Sequence, residues 1–286
     1  VQNIDNTYAV SVGEGDRRDG LGTFGVSVTH SLIKNNKDSD AFRVHGSNHI
    51  ISYNEVKDIE KDAFVDRNHG DFVQWFTNDN NCSMSYDVQN ILIENNYVHD
   101  AKVQVWYGNN VCQNYGTIVD NIVFRNNVFY KVGMMSQDYG NNFTNLKIYN
   151  NVFHTVGYMY YAFGSQRTYS YHAISFGSHS TGVEVKNNIF LNCGDEPALV
   201  SKGCYISYNP IGLDASNNYC GGPGYATKSN SYFNETYGIN GGNPMFVDEN
   251  NLDFHLQSNS PCIDAGINVG LPSLGSAPDI GAYEYS

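Results

Sequence analysis

The chain has 286 residues, long for one compact domain and ordinary for one repetitive all-β domain. Lys+Arg 16 against Asp+Glu 29 gives a net charge of −13, which argues against nucleic acid or an anionic membrane as partner. Only 16% of residues are charged, so a surface rich in Asn, Gly, Ser and Tyr suits neutral hydrogen bonding and aromatic stacking, as in sugar recognition.

The start "VQNIDNTYAV" has neither a basic nor a long apolar stretch, so the chain reads as mature or trimmed. No apolar run approaches the ~20 residues that span a bilayer, and membrane insertion is not expected. "GEGDRRDG" (13–20) is Gly-rich but precedes no helix, which makes it a poor phosphate cradle. "GVSVTHSLIKNN" (25–36) is then a loose first copy of a repeat that becomes regular further on. The clear copies are "HIISYNEVKDI" (49–59), "NILIENNYVHD" (90–100), "NIVFRNNVFYKV" (121–132), "NLKIYNNVFHTV" (145–156) and "GVEVKNNIFLNC" (182–193). Each is a short alternating strand, an Asn or Asn-Asn turn, and a second short strand. "CYISYNPIGL" (204–213) and "LDASNNYCGG" (213–222) read as decayed copies.

The turn residues Asn54, Asn96, Asn127, Asn151 and Asn188 are conserved in pattern while their spacing varies, as in a solenoid with variable loops on one side. Asn tolerates the left-handed region, and stacked amides can bond to one another up a ladder. A third strand lies between the copies: "AFRVHG" (41–46), "DFVQWF" (71–76), "VQVWYG" (103–108) and "AISFGS" (173–178). Three short strands per coil predict an all-β chain, a parallel β-helix. The repeat resembles the right-handed parallel β-helix proteins of the pectate-lyase-like superfamily over about residues 25–220. The stretch "NPMFVDENNLDFHLQSNSPCIDAG…PDIGAYEY" (243–285) looks like the C-terminal end of many secreted bacterial β-helix proteins. The expected organisation is one domain over 1–286, with regular coils over about 25–220 and an end segment at 243–286. Such proteins usually begin with a capping helix or extra coils. None is visible here, so either coils are missing upstream or another chain covers the N-terminal edge, which makes that edge a candidate for self-association.

Strand parity places Phe42, Val44, Val73, Trp75, Val103 and Val105 inside. It puts Arg43, Gln74 and Gln104 in one outward column, with His45, Phe76 and Trp106 beside it and Phe72 also outside. A polar column beside an aromatic one resembles the sugar-binding groove of this superfamily. The turn "VDRNHGD" (65–71) adds Arg67, His69 and Asp71, which offer a cation, a base titrating near neutral pH and an orienting carboxylate. The Tyr-rich stretch 158–180, with Arg167, Tyr169 and His172, is read either as a cover that stacks on sugar rings or as one more packed coil.

The favoured reading is an extracellular polysaccharide-recognising protein, a lyase or epimerase acting on a uronate-containing glycan. In it Arg43 or Arg67 neutralises the carboxylate, His45 or His69 is the base, and a Tyr is the acid. The alternatives are a glycoside hydrolase with paired carboxylates and a non-catalytic glycan-binding or self-assembling β-helix. No cofactor is required. Plentiful Asp and Asn oxygens would suit Ca²⁺, and "DENNLD" (248–253) has the residue types of a calcium loop without its spacing. Six cysteines without a CxxC pair fit disulfides better than zinc. Sequons at Asn81, Asn142 and Asn234 are acceptors for glycans in a eukaryotic secretory pathway.

Overall fold

The computed structural model describes residues 8–12, 25–36, 40–59, 71–76, 87–101, 104–109, 118–133, 143–156, 161–163, 166–168, 174–176, 180–193, 206–207, 210–222 and 235–286. Their main strands pair into three parallel sheets. The first sheet holds Tyr8–Val12, Asp40–Val44, Asp71–Phe76 and Gln104–Asn109. The second runs from Ser27–Thr29 through Ile50–Ser52, Val88–Glu94, Val119–Arg125, Phe143–Tyr149 and Glu184–Lys186 to Asp214–Ser216. The third runs from Leu32–Lys34 through Glu55–Lys57, Tyr97–His99, Val128–Tyr130, Val152–His154 and Ile189–Leu191 to Tyr219–Gly221 and Ile239–Asn240. Sequential strands of a coil lie in different sheets, and each pairs with its counterpart one coil away. That is a parallel β-helix.

The NN turn is the corner between the second and third sheets, and its two residues do different work. The first has a left-handed backbone, as at Asn95 (φ 53), Asn126 (φ 55) and Asn150 (φ 51). The second points inward and forms a continuous buried ladder. Asn54, Asn96, Asn127, Asn151 and Asn188 each send backbone N and side-chain Nδ2 to the Oδ1 of the next rung, at 2.9–3.1 Å. Each Nδ2 also reaches a carbonyl of the preceding coil, as Asn127 does to Ile93 (2.9 Å). The Ser31 amide opens the ladder on Asn54 Oδ1, and the Glu235 carboxylate closes it under Asn218 (3.2 and 3.0 Å). The stretch 213–222 is therefore a full rung rather than a decayed copy. Asn35-Asn36, by contrast, falls at another corner, where its inward partners are Ile59, Ala101, Val132, Val156 and Cys193.

Two cores result. The inner one fills the coil, with Phe129, Phe153 and Phe190 stacked on successive rungs (centroids 5.2 and 5.0 Å apart). The outer one lies on the solvent side of the third sheet. There Val128, Tyr130, Val152, Ile189, Leu191 and Tyr219 meet Phe246, Phe254, Leu256, Cys262, Ile280 and Ala282 of the C-terminal segment. Strands apolar on both faces (VFY, IFL, YCG) are what this double burial requires. The left-handed asparagines hold the same segment. Asn126, Asn150, Asn187 and Asn217 donate to the carbonyls of Ala282, Asp279, Ile267 and Ala265 (2.8–3.1 Å). Gly281 packs so closely that a Cβ would lie 2.8 Å from Ile189, and its φ of +113 also requires glycine.

Candidate functional site

The outward face of the first sheet is built on a register that pairs Arg43 with Gln74, Ser11 with Arg43, and Gln74 with Tyr107. The guanidinium of Arg43 donates to Asp40 Oδ2 (3.1 Å) and Gln74 Oε1 (3.2 Å). Asp40 Oδ1 accepts from the backbone N of Asp71 (3.2 Å), tying the two rungs together. Asp40, Asp71 and Gln74 are 3%, 0% and 3% exposed, whereas 29% of the Arg43 side chain reaches solvent. The buried acid and amide thus fix a cation whose tip faces outward. Such a group can neutralise a carboxylate without first having to be ordered.

The expected column needs correction at several points. Gln104 aligns with Asp71 and not with Gln74, because the Gln104–Asn109 strand sits three residues out of the expected register. Trp106 is level with Val73 and Phe42, both core residues, and Asn109 takes the place beside Phe76. Phe72 is fully buried, edge-on to Phe42 (5.7 Å) and Phe129 (5.9 Å), although strict alternation puts it outside. Asp71, Phe72 and Val73 are all buried, so alternation fails over the first residues of this strand. Gln74 is buried as the acceptor of Arg43 and does not itself present a binding surface.

His45 is half-buried just beyond the Arg43 strand, and its carbonyl accepts from His49 Nε2 (2.8 Å). His49 is fully buried, with Nδ1 accepting from the Val26 amide (3.1 Å), and burial pushes its pKa down. It is a structural histidine. Arg67, His69, Tyr169 and His172 lie outside the described residues. Phe76, Gln104 and Trp106 are described by backbone position alone, as is Arg167, which sits opposite Ala162 in an antiparallel hairpin, Tyr161–Phe163 with Gln166–Thr168. The residue the sequence reasoning missed is Asp40. Its signal was available, since aligning Arg43 with Gln74 also aligns Asp40 with Asp71.

Other charged residues have structural partners. Asp248 caps the turn at Asn251 (3.3 Å), Glu249 accepts from His154 (3.0 Å) and Asp253 pairs with His255 (2.7 Å), so the "DENNLD" carboxylates diverge. Among the described residues no cluster of three or more His, Cys, Asp or Glu side chains could hold a metal ion. Cys193 and Cys262 are free and buried, and burial raises both thiols to about 12. Neither takes part in a disulfide. The acceptor asparagines of the three sequons lie outside the described residues. Among the described residues no helix is long and apolar enough to cross a membrane.

No family model matches the chain, and no curated protein matches it. Among solved structures the chain is similar to pectate lyase Pel9A. The two are 14% identical over 91% of this chain and 72% of that one, with a TM-score of 0.37. The parallel pairing of the three sheets and the buried asparagine ladder make this chain a parallel β-helix, the fold that its sequence resembles.

Proposed function

We propose that the outward face of the first sheet binds an acidic polysaccharide, and that the protein is an extracellular lyase or epimerase acting on a uronate-containing glycan. The observation that carries this reading is Arg43, held by Asp40 and Gln74 and reaching solvent between them. The net charge of −13 repels a polyanion at long range, so a fixed local cation is what such a substrate needs. Pairing the C5 carboxylate with Arg43 stabilises the charge that develops when a base takes the C5 proton. The electron pair left on C5 then either expels the C4 oxygen, which leaves with a proton from an acid or water to give an unsaturated end, or takes a proton on the opposite face. His45, two residues along the same strand direction, is the described candidate base. Ca²⁺ is not required by this scheme, although it would serve the same neutralising role.

A glycoside hydrolase is the second reading, favoured by Asp40 lying one rung from Asp71. Both carboxylates are buried and Asp40 is engaged by Arg43, which leaves it behind the first. Incubation with a panel of uronans separates the two. Unsaturated ends seen by ultraviolet absorbance support the lyase, inverted C5 centres seen by NMR support the epimerase, and reducing ends alone support the hydrolase. Arg43→Ala is expected to lower turnover by about 100-fold or more. The catalytic proposal fails if no polymer is altered.

A further inference from the structure

The left-handed residues before each ladder rung form their own outward column along the corner between the second and third sheets. Four of its asparagines grip the C-terminal segment. Upstream, the column changes character. Asn95 has the same backbone (φ 53) yet, among the described residues, its side chain makes no hydrogen bond. Above it stand Tyr53 and His30, both exposed, with Tyr53 at 53%. Their rings stack with centroids 5.1 Å apart and planes 9° from parallel. That separation matches the ~4.8 Å between neighbouring strands, so the rings stack along the axis. The second face of Tyr53 therefore looks down the column toward the Asn95 rung.

Neither aromatic is there for stability. At φ 54 and φ 52 the backbone is in the region that Asn tolerates and that a bulky side chain resists. The next five rungs, Asn95, Asn126, Asn150, Asn187 and Asn217, use Asn before Tyr237 (φ 59) ends the column, and the rings of His30 and Tyr53 bury little in exchange.

We propose that Tyr53, His30 and Asn95 form a second carbohydrate-binding site, on the corner that does not touch the first sheet. A pyranose ring would lay its C–H face on the free face of Tyr53, where weakly positive hydrogens meet the negative π face and apolar surface leaves water. The Asn95 amide, one rung below, would bond the ring's hydroxyls. The class of ligand rests on the polysaccharide reading above; the stack, its exposure and the unused amide do not. Such an anchor holds the polymer while the Arg43 face engages another stretch, raising its local concentration there.

The test is retardation in native gels containing soluble polygalacturonate, alginate or arabinoxylan. Arg43→Ala protein should still be retarded by at least one of them. Adding Tyr53→Asn should weaken that retardation about tenfold, while adding Tyr53→Trp should keep it. Asn is the residue of the neighbouring rungs, so a thermal midpoint equal to or above the parent's shows that the fold is intact. Equal retardation with and without Tyr53→Asn overturns the corner site. Loss of all retardation in Arg43→Ala also overturns it, and leaves the first-sheet reading standing. If Tyr53→Asn alone abolishes binding and Arg43→Ala does not weaken it, the corner stands and the first-sheet reading falls. A wild-type protein that no polymer retards ends both.

Discussion

Two asparagine ladders run along this molecule with the same rung spacing and the same amide chemistry. One is buried between the second and third sheets, where Asn54, Asn96, Asn127, Asn151 and Asn188 are each 0–1% exposed. The other is exposed at the left-handed bend near the start of the second-sheet strands, where Asn90 donates to Asn48 (3.0 Å) and Asn121 to Asn90 (2.7 Å). It breaks at Asn145, which turns to Asp120, and glycine takes over at Gly182 (φ +63) and Gly212 (φ +68). The buried ladder is uninterrupted because its amides replace water for backbone groups that have none. The exposed one can lapse because water completes it. The same hydrogen bond is thus essential on one corner and optional on the other.

Substitutions can break that contrast at graded cost. Asn127→Ala should be the most damaging, at about 4 kcal/mol by urea unfolding. It strips the acceptor from Asn96 N and Nδ2 and the donor from the Ile93 carbonyl, all buried. Phe254→Ala empties the outer core between Tyr97 and Tyr130, costing about 3 kcal/mol and exposing the C-terminal segment to limited proteolysis.

Acidification probes the same interface. His154 is almost fully buried there, and burial lowers its pKa by more than Glu249 raises it. Its neutral form belongs to the fold, so stability is complete above about pH 6.5. It falls as the pH drops below that value toward the lowered pKa, because the unfolded chain takes up the proton first. Urea midpoints should therefore fall between pH 7 and pH 5.5. His154→Gln should flatten the slope in part, His49 supplying the remainder with the same sign.

Asn150→Gly, which keeps the left-handed backbone but drops the bond to Asp279, should cost about 1 kcal/mol. Asn90→Gly, the matching change on the exposed ladder, should stay within about 0.5 kcal/mol. A loss as large as that of Asn127→Ala would sink the comparison.

The buried ladder was legible because its signal is local: a turn needs a left-handed residue, Asn supplies it, and the pair recurs before an apolar strand. The double-sided strands were legible in part. Val128-Phe129-Tyr130 is apolar throughout, and that pattern points to cover on both faces without naming the cover. The candidate site was less legible. Arg43 and Gln74 fall in one column as alternation predicts, but Phe72 turns inward and Gln104 shifts to the Asp71 rung. The residues between these strands vary in length, so no period ties one to the next, and one error of register moves every side chain.

The sequence alone determined the coil, its Asn corner and the alternation within each strand, because those depend on backbone preferences and on neighbours a few residues away. The tertiary structure decided what lies beside what: the Asp40 carboxylate against the Asp71 amide, the C-terminal segment over the third sheet, and Tyr53 over Asn95. Each joins residues from different coils or from the far end of the chain. Their meeting depends on how many residues each loop consumes before the next rung, which no local preference records.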